Sequence, residues 1–206
     1  MTKKLLMSAL AVLLIVCSFA ACAPSPEEEM LSEPVYVEMS VVGYGKVVLY
    51  IDPTVAPITA SNFVNLVKDG FYDGLDFHRV QPGFMIQGGM PNENSKSLTA
   101  IKGEFASNGY QNTLSHTRGV ISMARTNDPN SATSQFFICN ADSTFLDGNY
   151  AAFGRVVEGM DVIDLITEET SVYANPYYNY VIYNESARAV IEYIRVLDNY
   201  TPSGEK

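Results

Sequence analysis

The chain has 206 residues, a formal net charge of −10 and a hydrophobic fraction of 47%. A chain of this size and apolar content can bury one sizeable core. The acidic balance argues against binding to nucleic acid and against docking on anionic lipid headgroups. The two histidines, His78 and His116, lie too far apart in the sequence for a recognisable metal-site spacing.

The first 21 residues have the pattern of an export signal. Lys3 and Lys4 give a positive start, and residues 5–20 form an almost wholly apolar run. The run is too short and ends too abruptly for a durable membrane span. The sequence therefore predicts a signal peptide at residues 1–21 and an exported protein.

The end of this signal resembles a bacterial lipobox. In Phe19-Ala20-Ala21-Cys22, small residues precede a cysteine that would become the lipidated first residue, although the first position usually holds leucine. Removal of the two signal lysines takes the net charge from −10 to −12. Electrostatic attraction to anionic lipids is therefore not expected. The lipid at Cys22 is expected to anchor the protein to the extracytoplasmic face of a bacterial membrane. An ordinary secretory signal cut after Ala21 is the alternative.

Residues 22–34 contain prolines and glutamates and are interpreted as a disordered acidic linker. A single domain is expected over residues 35–200, followed by a tail at 201–206. With Cys17 lost with the signal and Cys22 carrying lipid, Cys139 is the one thiol left, so no disulfide framework is expected. Cys139 lies in an apolar run and is interpreted as a small buried hydrophobic residue.

The domain shows a series of short strands and two helices. Alternating runs at residues 35–41 and 45–51 predict a β-hairpin. Pro57 then begins a helix whose apolar face is Ala60, Phe63, Val64, Val67 and Phe71, with Gly70 placed for the C-terminal cap. Further strands are predicted at residues 77–79, 84–87, 120–123, 135–139, 151–157 and 189–197, and a second helix at 160–167. This series favours a mainly β fold, a closed antiparallel barrel with helices capping its ends.

The stretch 77–89 indicates where a functional site would lie. It carries one cation, Arg79, among aromatic and aliphatic neighbours on a short strand, which is costly unless a polar group meets it. A second β-prone run at residues 134–139 carries a lone amide, Gln135. A pocket with aromatic walls, one guanidinium and a few amides suits an uncharged amide ligand and is poorly suited to phosphate, a metal or nucleophilic attack.

These runs resemble the motifs of the cyclophilins, the peptidyl-prolyl cis/trans isomerases. The matching blocks, in family order, are Phe77-His78-Arg79, Pro82-Gly83-Phe84-Met85, Gln87-Gly88-Gly89, Ser122-Met123-Ala124, Ser134-Gln135-Phe136-Phe137-Ile138 and Phe153-Gly154. The resemblance covers roughly residues 35–167 and the last strand. It implies an eight-stranded antiparallel closed β-barrel capped by two α-helices. It also implies isomerisation of X–Pro bonds in polypeptide clients by a monomer, with no covalent intermediate, no cofactor and no metal.

The resemblance also implies roles for individual residues. Arg79 would be the catalytic residue that stabilises the twisted prolyl amide, with His78 supporting it. The remaining substrate-binding residues would surround the same pocket: Phe84, Met85, Phe137 and Leu146 around the proline ring, Phe145 at the rim, Gln87 and Gln135 toward the substrate backbone or Arg79, the backbone of Ala124 and Arg125 toward the residue before proline, and Tyr150, where the family commonly has histidine. Strand alternation lets one of two adjacent phenylalanines face a pocket, and the resemblance selects Phe137, with Phe136 inside the barrel.

Besides Tyr150, one residue and one segment depart from the family pattern. Phe145 stands where many eukaryotic members carry tryptophan, so cyclosporin is predicted to bind more weakly than to a Trp-bearing member. The tyrosine-rich segment at residues 168–186 is interpreted either as an insertion loop packed against the barrel or as a surface contact for clients or cell-wall partners.

The leading prediction is an exported, lipid-anchored prolyl isomerase that assists folding outside the cytoplasmic membrane. A non-catalytic peptide-binding or chaperone-like module on the same fold is the main alternative, and an adhesin built around residues 172–184 is a weaker one. A hydrolase at Ser115-His116 is disfavoured, because no carboxylate partner or nucleophile-elbow glycine pattern accompanies the pair.

Overall fold

The computed structural model of the protein describes residues 30–202. Eight strands form one sheet: β1 (Val35–Val41), β2 (Gly45–Ile51), β3 (Phe77–Gln81), β4 (Met85–Gly88), β5 (Val120–Met123), β6 (Phe136–Cys139), β7 (Ala152–Glu158) and β8 (Ile191–Leu197). Their order is β3-β4-β6-β5-β7-β2-β1-β8, and all neighbours pair antiparallel. Helix α1 (Pro57–Lys68) contacts β7 and β8, and helix α2 (Met160–Thr170) contacts β2 and β3.

The sheet curls into a half-barrel, so the prediction of a closed barrel was too strong. Its edge strands, β3 and β8, are joined at one end by an isolated bridge between Asp76 and Val190. Residues 180–182 pair with the rest of the outer edge of β3. The Val80 amide donates to the Tyr180 carbonyl at 3.2 Å. The segment before β8 therefore occupies the place where full closure would have required β8 itself.

Aromatic side chains fill the interior of the half-barrel. Phe63 of α1 lies 5.2–5.6 Å from the rings of Tyr72, Phe136 and Phe153, measured between centroids. Phe77 meets Phe136 edge-on at 6.0 Å. All five side chains are fully buried, and their tilted and edge-to-face contacts are the geometries that aromatic pairs prefer. The apolar face predicted for α1 therefore packs on the strands.

One glycine allows two strands to approach closely. Gly154 of β7 pairs with Ile51 of β2, and a Cβ at residue 154 would lie 2.3 Å from the Tyr50 carbonyl oxygen. No side chain fits at that distance, so the pairing of β2 with β7 requires glycine here.

Several strand ends differ from the sequence predictions by one or two residues, and both helices differ in where they end. α1 ends at Lys68, so Phe71 lies beyond the helix, while Gly70 takes a left-handed conformation with φ +68° and its amide donates to Val67 O. α2 continues to Thr170, and the tyrosine-rich segment that follows contains three 3₁₀ turns, at Ser171–Tyr173, Pro176–Tyr178 and Glu185–Ala187. Four tyrosines of this segment are exposed to solvent: Tyr173, Tyr177, Tyr178 and Tyr183.

The end of the predicted linker contacts the domain. Residues 30–34 have no regular structure, but Leu31 packs against the core and its amide donates to Ser61 Oγ at 3.0 Å. The predicted signal peptide and Cys22 lie outside the described residues. Within residues 30–202, no helix is both long enough and apolar enough to cross a membrane.

Candidate active site

A second apolar cluster lies on the outer side of β4 and β6. Met85, Phe137, Cys139 and Leu146 form it, separately from the barrel core. Strand alternation produces the separation, because successive side chains of β6 point to opposite faces. Phe136 thus belongs to the barrel core, whereas its neighbour Phe137 belongs to the outer cluster.

Three members of this cluster, Met85, Phe137 and Leu146, form the floor of a cavity of about 560 Å³. Its lining combines apolar side chains with amides and two cations: His78, Arg79, Phe84, Met85, Gln87, Met90, Ala124, Arg125, Gln135, Phe137, Phe145, Leu146, Tyr150, Asn179 and Val181. No aspartate, glutamate or cysteine is among these described lining residues. The cavity therefore offers hydrogen bonds and positive charge around an apolar floor, which suits a neutral ligand of mixed polarity.

A bulge in β3 brings two adjacent residues to the cavity. The pairing of β3 with β4 shifts register between Phe77 and Arg79, so the strict alternation of side chains is broken at His78. Both His78 and Arg79 consequently line the cavity, while Phe77 points into the core.

The Arg79 guanidinium is held by a set of uncharged acceptors. Nη1 donates to Gln87 Oε1 at 3.1 Å, and Gln87 Nε2 donates in turn to Gln135 Oε1 at 3.0 Å. Nε and Nη2 donate to the backbone and side-chain oxygens of Asn179, each at 2.8 Å. Partial burial lowers the pKa of Arg79, but a guanidinium stays protonated in proteins. Its charge is thus available to a ligand.

His78 is buried and electrically neutral at physiological pH. Its side chain is 4% exposed, and Nδ1 is a buried atom without a hydrogen-bond partner in the described structure. Burial lowers the pKa of His78 to about 4; the negative charge of Asp76 opposes this lowering, and the charges of Arg188 and Arg79 add to it. A neutral imidazole beside Arg79 adds no competing charge to the cavity.

Aromatic rings form the rim of the cavity. Phe84 and Phe145 lie 5.3 Å apart between ring centroids, and the guanidinium carbon of Arg79 lies 5.8 Å from the centre of the Phe84 ring. On the other side, the guanidinium of Arg125 lies 4.7 Å from the centre of the Tyr150 ring. Such cation–π contacts hold the cations while leaving their charge unneutralised.

A polar cluster centred on the buried His116 supports the cavity wall from behind. His116 Nδ1 lies 2.7 Å from Asp147 Oδ1, His116 Nε2 lies 3.0 Å from Ser122 Oγ, and the His116 ring stacks on Phe137. The expectation that no carboxylate accompanies Ser115-His116 was therefore wrong, since Asp147 also accepts from Ser115 Oγ at 2.5 Å. Asp147 lies 32 positions from Ser115, so no local pattern could show it. Ser122 is fully buried and its hydroxyl cannot meet a substrate.

Cys139 lies beneath the floor and has no nucleophilic character. It is a free, fully buried thiol, and burial raises its pKa to about 12. A thiol with this pKa stays protonated at neutral pH. The structure agrees with its interpretation as a buried hydrophobic residue. In the described residues, no group of three or more His, Cys, Asp or Glu side chains is placed to hold a metal ion.

The structure brings all twelve of the predicted domain site residues around one cavity: His78, Arg79, Phe84, Met85, Gln87, Ala124, Arg125, Gln135, Phe137, Phe145, Leu146 and Tyr150. Three lining residues were missed by sequence reasoning, namely Met90, Asn179 and Val181. Met90 directly follows the Gln87-Gly88-Gly89 block and could have been inferred from that proximity. Asn179 and Val181 reach the cavity by a long-range contact and carry no local signal.

Comparison with known proteins gives the family. Residues 36–186 match the family described as cyclophilin type peptidyl-prolyl cis-trans isomerase/CLD. The chain is 40% identical over 187 residues to peptidyl-prolyl cis-trans isomerase A of Dickeya dadantii, covering 87% of this chain and 92% of that protein. It is 43% identical over 134 residues to peptidyl-prolyl cis-trans isomerase B of Escherichia coli, covering 60% and 79%.

Solved structures give the same fold. A Cryptosporidium parvum cyclophilin type peptidyl-prolyl cis-trans isomerase superposes with a TM-score of 0.67 at 24% identity, covering 81% of this chain and 99% of that chain. A cyclophilin from Hirschia baltica superposes with a TM-score of 0.62 at 26% identity, covering 82% and 78%. Together with the sequence matches and the cavity, these similarities identify the chain as a member of the cyclophilin family of peptidyl-prolyl cis-trans isomerases.

Proposed function

We propose that the cavity accelerates rotation about X–Pro bonds through Arg79, acting as a preorganised donor to the twisted prolyl amide. The observation that carries this proposal is a charged guanidinium at the edge of an apolar floor, whose acceptors within residues 30–202 are all uncharged. No acid, base or nucleophile is required for the rotation, because no covalent bond is formed or broken.

The origin of the X–Pro rotation barrier explains how the single Arg79 guanidinium can lower it. Amide resonance sets a rotation barrier of about 18–20 kcal/mol, and the prolyl nitrogen regains its lone pair as the bond twists. A proline ring on Met85, Phe137 and Leu146 would present its carbonyl and nitrogen to Arg79. A hydrogen bond from the guanidinium then favours the pyramidal nitrogen over the planar one, which lowers the barrier selectively in the transition state.

The enzyme and binding-module hypotheses predict different dependences of client refolding on the concentration of this protein. An isomerase accelerates a proline-limited refolding reaction at concentrations far below that of the client, because each molecule turns over many times. A chaperone-like module acts only near equimolar concentration. We expect the slow refolding phase of a client with a non-native X–Pro bond to accelerate at about one enzyme per hundred clients, given uncatalysed times of about 10–100 s. Acceleration that appears only near equimolar concentration would favour the binding module.

We further propose that the protein works outside the cytoplasmic membrane, attached through lipid at Cys22. The positive, apolar and small-residue pattern of residues 1–22 supports this location. Labelled palmitate should enter the wild-type protein in a bacterial host and should be absent from Cys22→Ala. Equal labelling of both proteins would contradict lipidation at Cys22.

A further inference from the structure

We infer that Asn179 is a positioning residue for Arg79, supplied by the segment between α2 and β8. The inference rests on the proposed role of Arg79 and adds a residue outside the blocks by which the site was recognised. Asn179 accepts from Arg79 twice, through its backbone oxygen at 2.8 Å from Nε and through Oδ1 at 2.8 Å from Nη2. These are the two shortest hydrogen bonds that the guanidinium makes.

The segment is fixed to β3 on both sides of Arg79. The Ile182 amide donates to the His78 carbonyl at 2.8 Å, and the Val80 amide donates to the Tyr180 carbonyl at 3.2 Å. Residues 180–182 thus run along the otherwise free edge of β3, and the position of Asn179 follows that of the strand that carries Arg79.

A tight turn aims Asn179 at the guanidinium. The Asn175 amide donates to Val181 O at 3.0 Å and the Tyr180 amide donates to Asn175 O at 2.8 Å. Within this turn both Asn179 and Tyr180 have left-handed backbones, with φ of 57° and 59°. Asparagine tolerates this conformation, but a bulky aromatic residue rarely adopts it. Two such residues in a row, next to a catalytic side chain, are the kind of strained geometry that the surrounding structure must enforce.

The remaining contacts of Arg79 show where a substrate would enter. Gln87 and Asn179 hold the guanidinium from opposite sides, while the contacts to Met85 Sδ at 3.9 Å and Gln81 Oε1 at 3.4 Å are long and weak. A substrate carbonyl can replace the sulfur, which is a poor acceptor, without disturbing either firm contact. Asn179 therefore fixes the plane of the guanidinium and leaves the Nη1 N–H beside Met85 available to a substrate carbonyl.

The neutral side chain of Asn179 also matters. An aspartate at this position would hold the guanidinium equally well but would neutralise its charge. An amide oxygen fixes Arg79 without that loss, so its positive charge remains directed at the substrate.

The test compares Asn179→Gly with Asn199→Gly in the full chain, kept soluble in mild detergent. Glycine accepts the left-handed backbone and keeps the backbone oxygen, so of the two contacts to Arg79 the variant removes only the one made by the side chain. Asn199 is exposed, has the same φ of 57° and lies outside the cavity, so it controls for the glycine substitution. We expect kcat of Asn179→Gly to fall by about tenfold or more, as for loss of a hydrogen bond to a charged group, with KM within about twofold of wild type. Asn199→Gly should match wild type in both constants.

Nitrogen NMR of Arg79 provides a readout that a merely structural role would not change. The two Nη groups should give separate signals in the wild type, because the contacts on both sides slow rotation about the Nε–Cζ bond, and these signals should merge in Asn179→Gly. A raised KM with unchanged kcat and unchanged Arg79 signals would overturn the inference, since it would show that the segment acts as a pocket wall.

The Arg79→Ala variant distinguishes a failure of the inference about Asn179 from a failure of the proposed Arg79 mechanism. If the wild type accelerates exchange and Arg79→Ala does not, while Asn179→Gly equals wild type in kcat, the inference about Asn179 alone is overturned. If Arg79→Ala retains the wild-type rate, the proposed mechanism fails, and the inference about Asn179 fails with it.

Discussion

The barrel core and the outer cluster share strand β6 but serve different purposes. Phe136 and Ile138 point into the core, where Phe136 meets three other aromatic rings. Phe137 and Cys139 point to the outer cluster under the cavity. A strand with a repeat of two residues thus separates stability from substrate binding at adjacent positions. Variants of neighbouring residues should consequently have different effects.

Phe136→Ala should cause the largest loss of stability. It would remove a fully buried ring from contact with Phe63, Tyr72 and Phe77, and buried phenylalanine-to-alanine changes cost about 3–5 kcal/mol. Urea unfolding followed by circular dichroism would measure the loss. A loss below about 1 kcal/mol would mean that the interior can collapse around the vacancy, and the contrast between the two clusters would disappear.

The pH dependence of stability tests the burial of neutral His78 in the cavity wall. The pKa of His78 is about 4 in the folded protein, below the ordinary value of 6.5. Between pH 6.5 and 4, His78 is protonated in the unfolded chain but not in the folded one. The free energy of unfolding is therefore highest above pH 6.5 and declines as the pH falls from 6.5 to 4. This difference between the pKa values of the folded and unfolded states corresponds to a loss of about 3 kcal/mol of unfolding free energy. His116, whose pKa is also lowered by burial, should add to the decline.

The same unfolding measured on His78→Gln at several pH values isolates the contribution of His78. The variant cannot take up the proton, so its stability should decline less between pH 6.5 and 4. An identical decline in both proteins would show that other groups control acid unfolding.

Phe137→Ala should affect activity more than stability. Its ring lines the cavity and meets His116 and Tyr150, and the vacancy would open toward solvent. We expect kcat/KM for a proline peptide to fall about thirtyfold, equivalent to about 2 kcal/mol. The loss of unfolding free energy should be smaller than for Phe136→Ala. The reverse order of stability losses would contradict the assignment of the two faces.

Phe145→Trp should have the smallest effect. Phe145 is 71% exposed at the cavity rim, and a tryptophan there adds an indole N–H that the chain lacks. We expect cyclosporin to bind the variant about fivefold more tightly, for one added hydrogen bond of about 1 kcal/mol. Calorimetry on both proteins measures this, and equal affinities would remove the explanation offered for weak binding.

Much of the fold follows from local patterns. The β1–β2 hairpin, the start of α1 at Pro57 and the strand at residues 120–123 lie where the alternating runs and turn residues placed them. These features depend on residues within a few positions of each other. Alternation also predicted that one phenylalanine of β6 would face outward, although it needed the family resemblance to choose which one.

Features that depend on distant contacts were not predictable from the sequence. The bulge that puts His78 and Arg79 on one face arises from pairing with β4. The incomplete closure arises because residues 180–182 take the edge of β3. Asn179 meets Arg79 across 100 positions of sequence, within a segment whose composition suggested only a loop or a surface contact.

The most direct test is the cis/trans exchange rate of an Ala-Pro-Phe peptide measured at equilibrium by NMR, with the wild type, Arg79→Ala and Arg79→Lys. The account predicts strong acceleration by the wild type and a loss of about 100- to 1,000-fold in Arg79→Ala, as for removal of an electrostatic transition-state donor. Arg79→Lys should recover little, since an ammonium lacks the planar fork that Gln87 and Asn179 hold. A folded Arg79→Ala variant that accelerates exchange as well as the wild type would contradict the central role of Arg79.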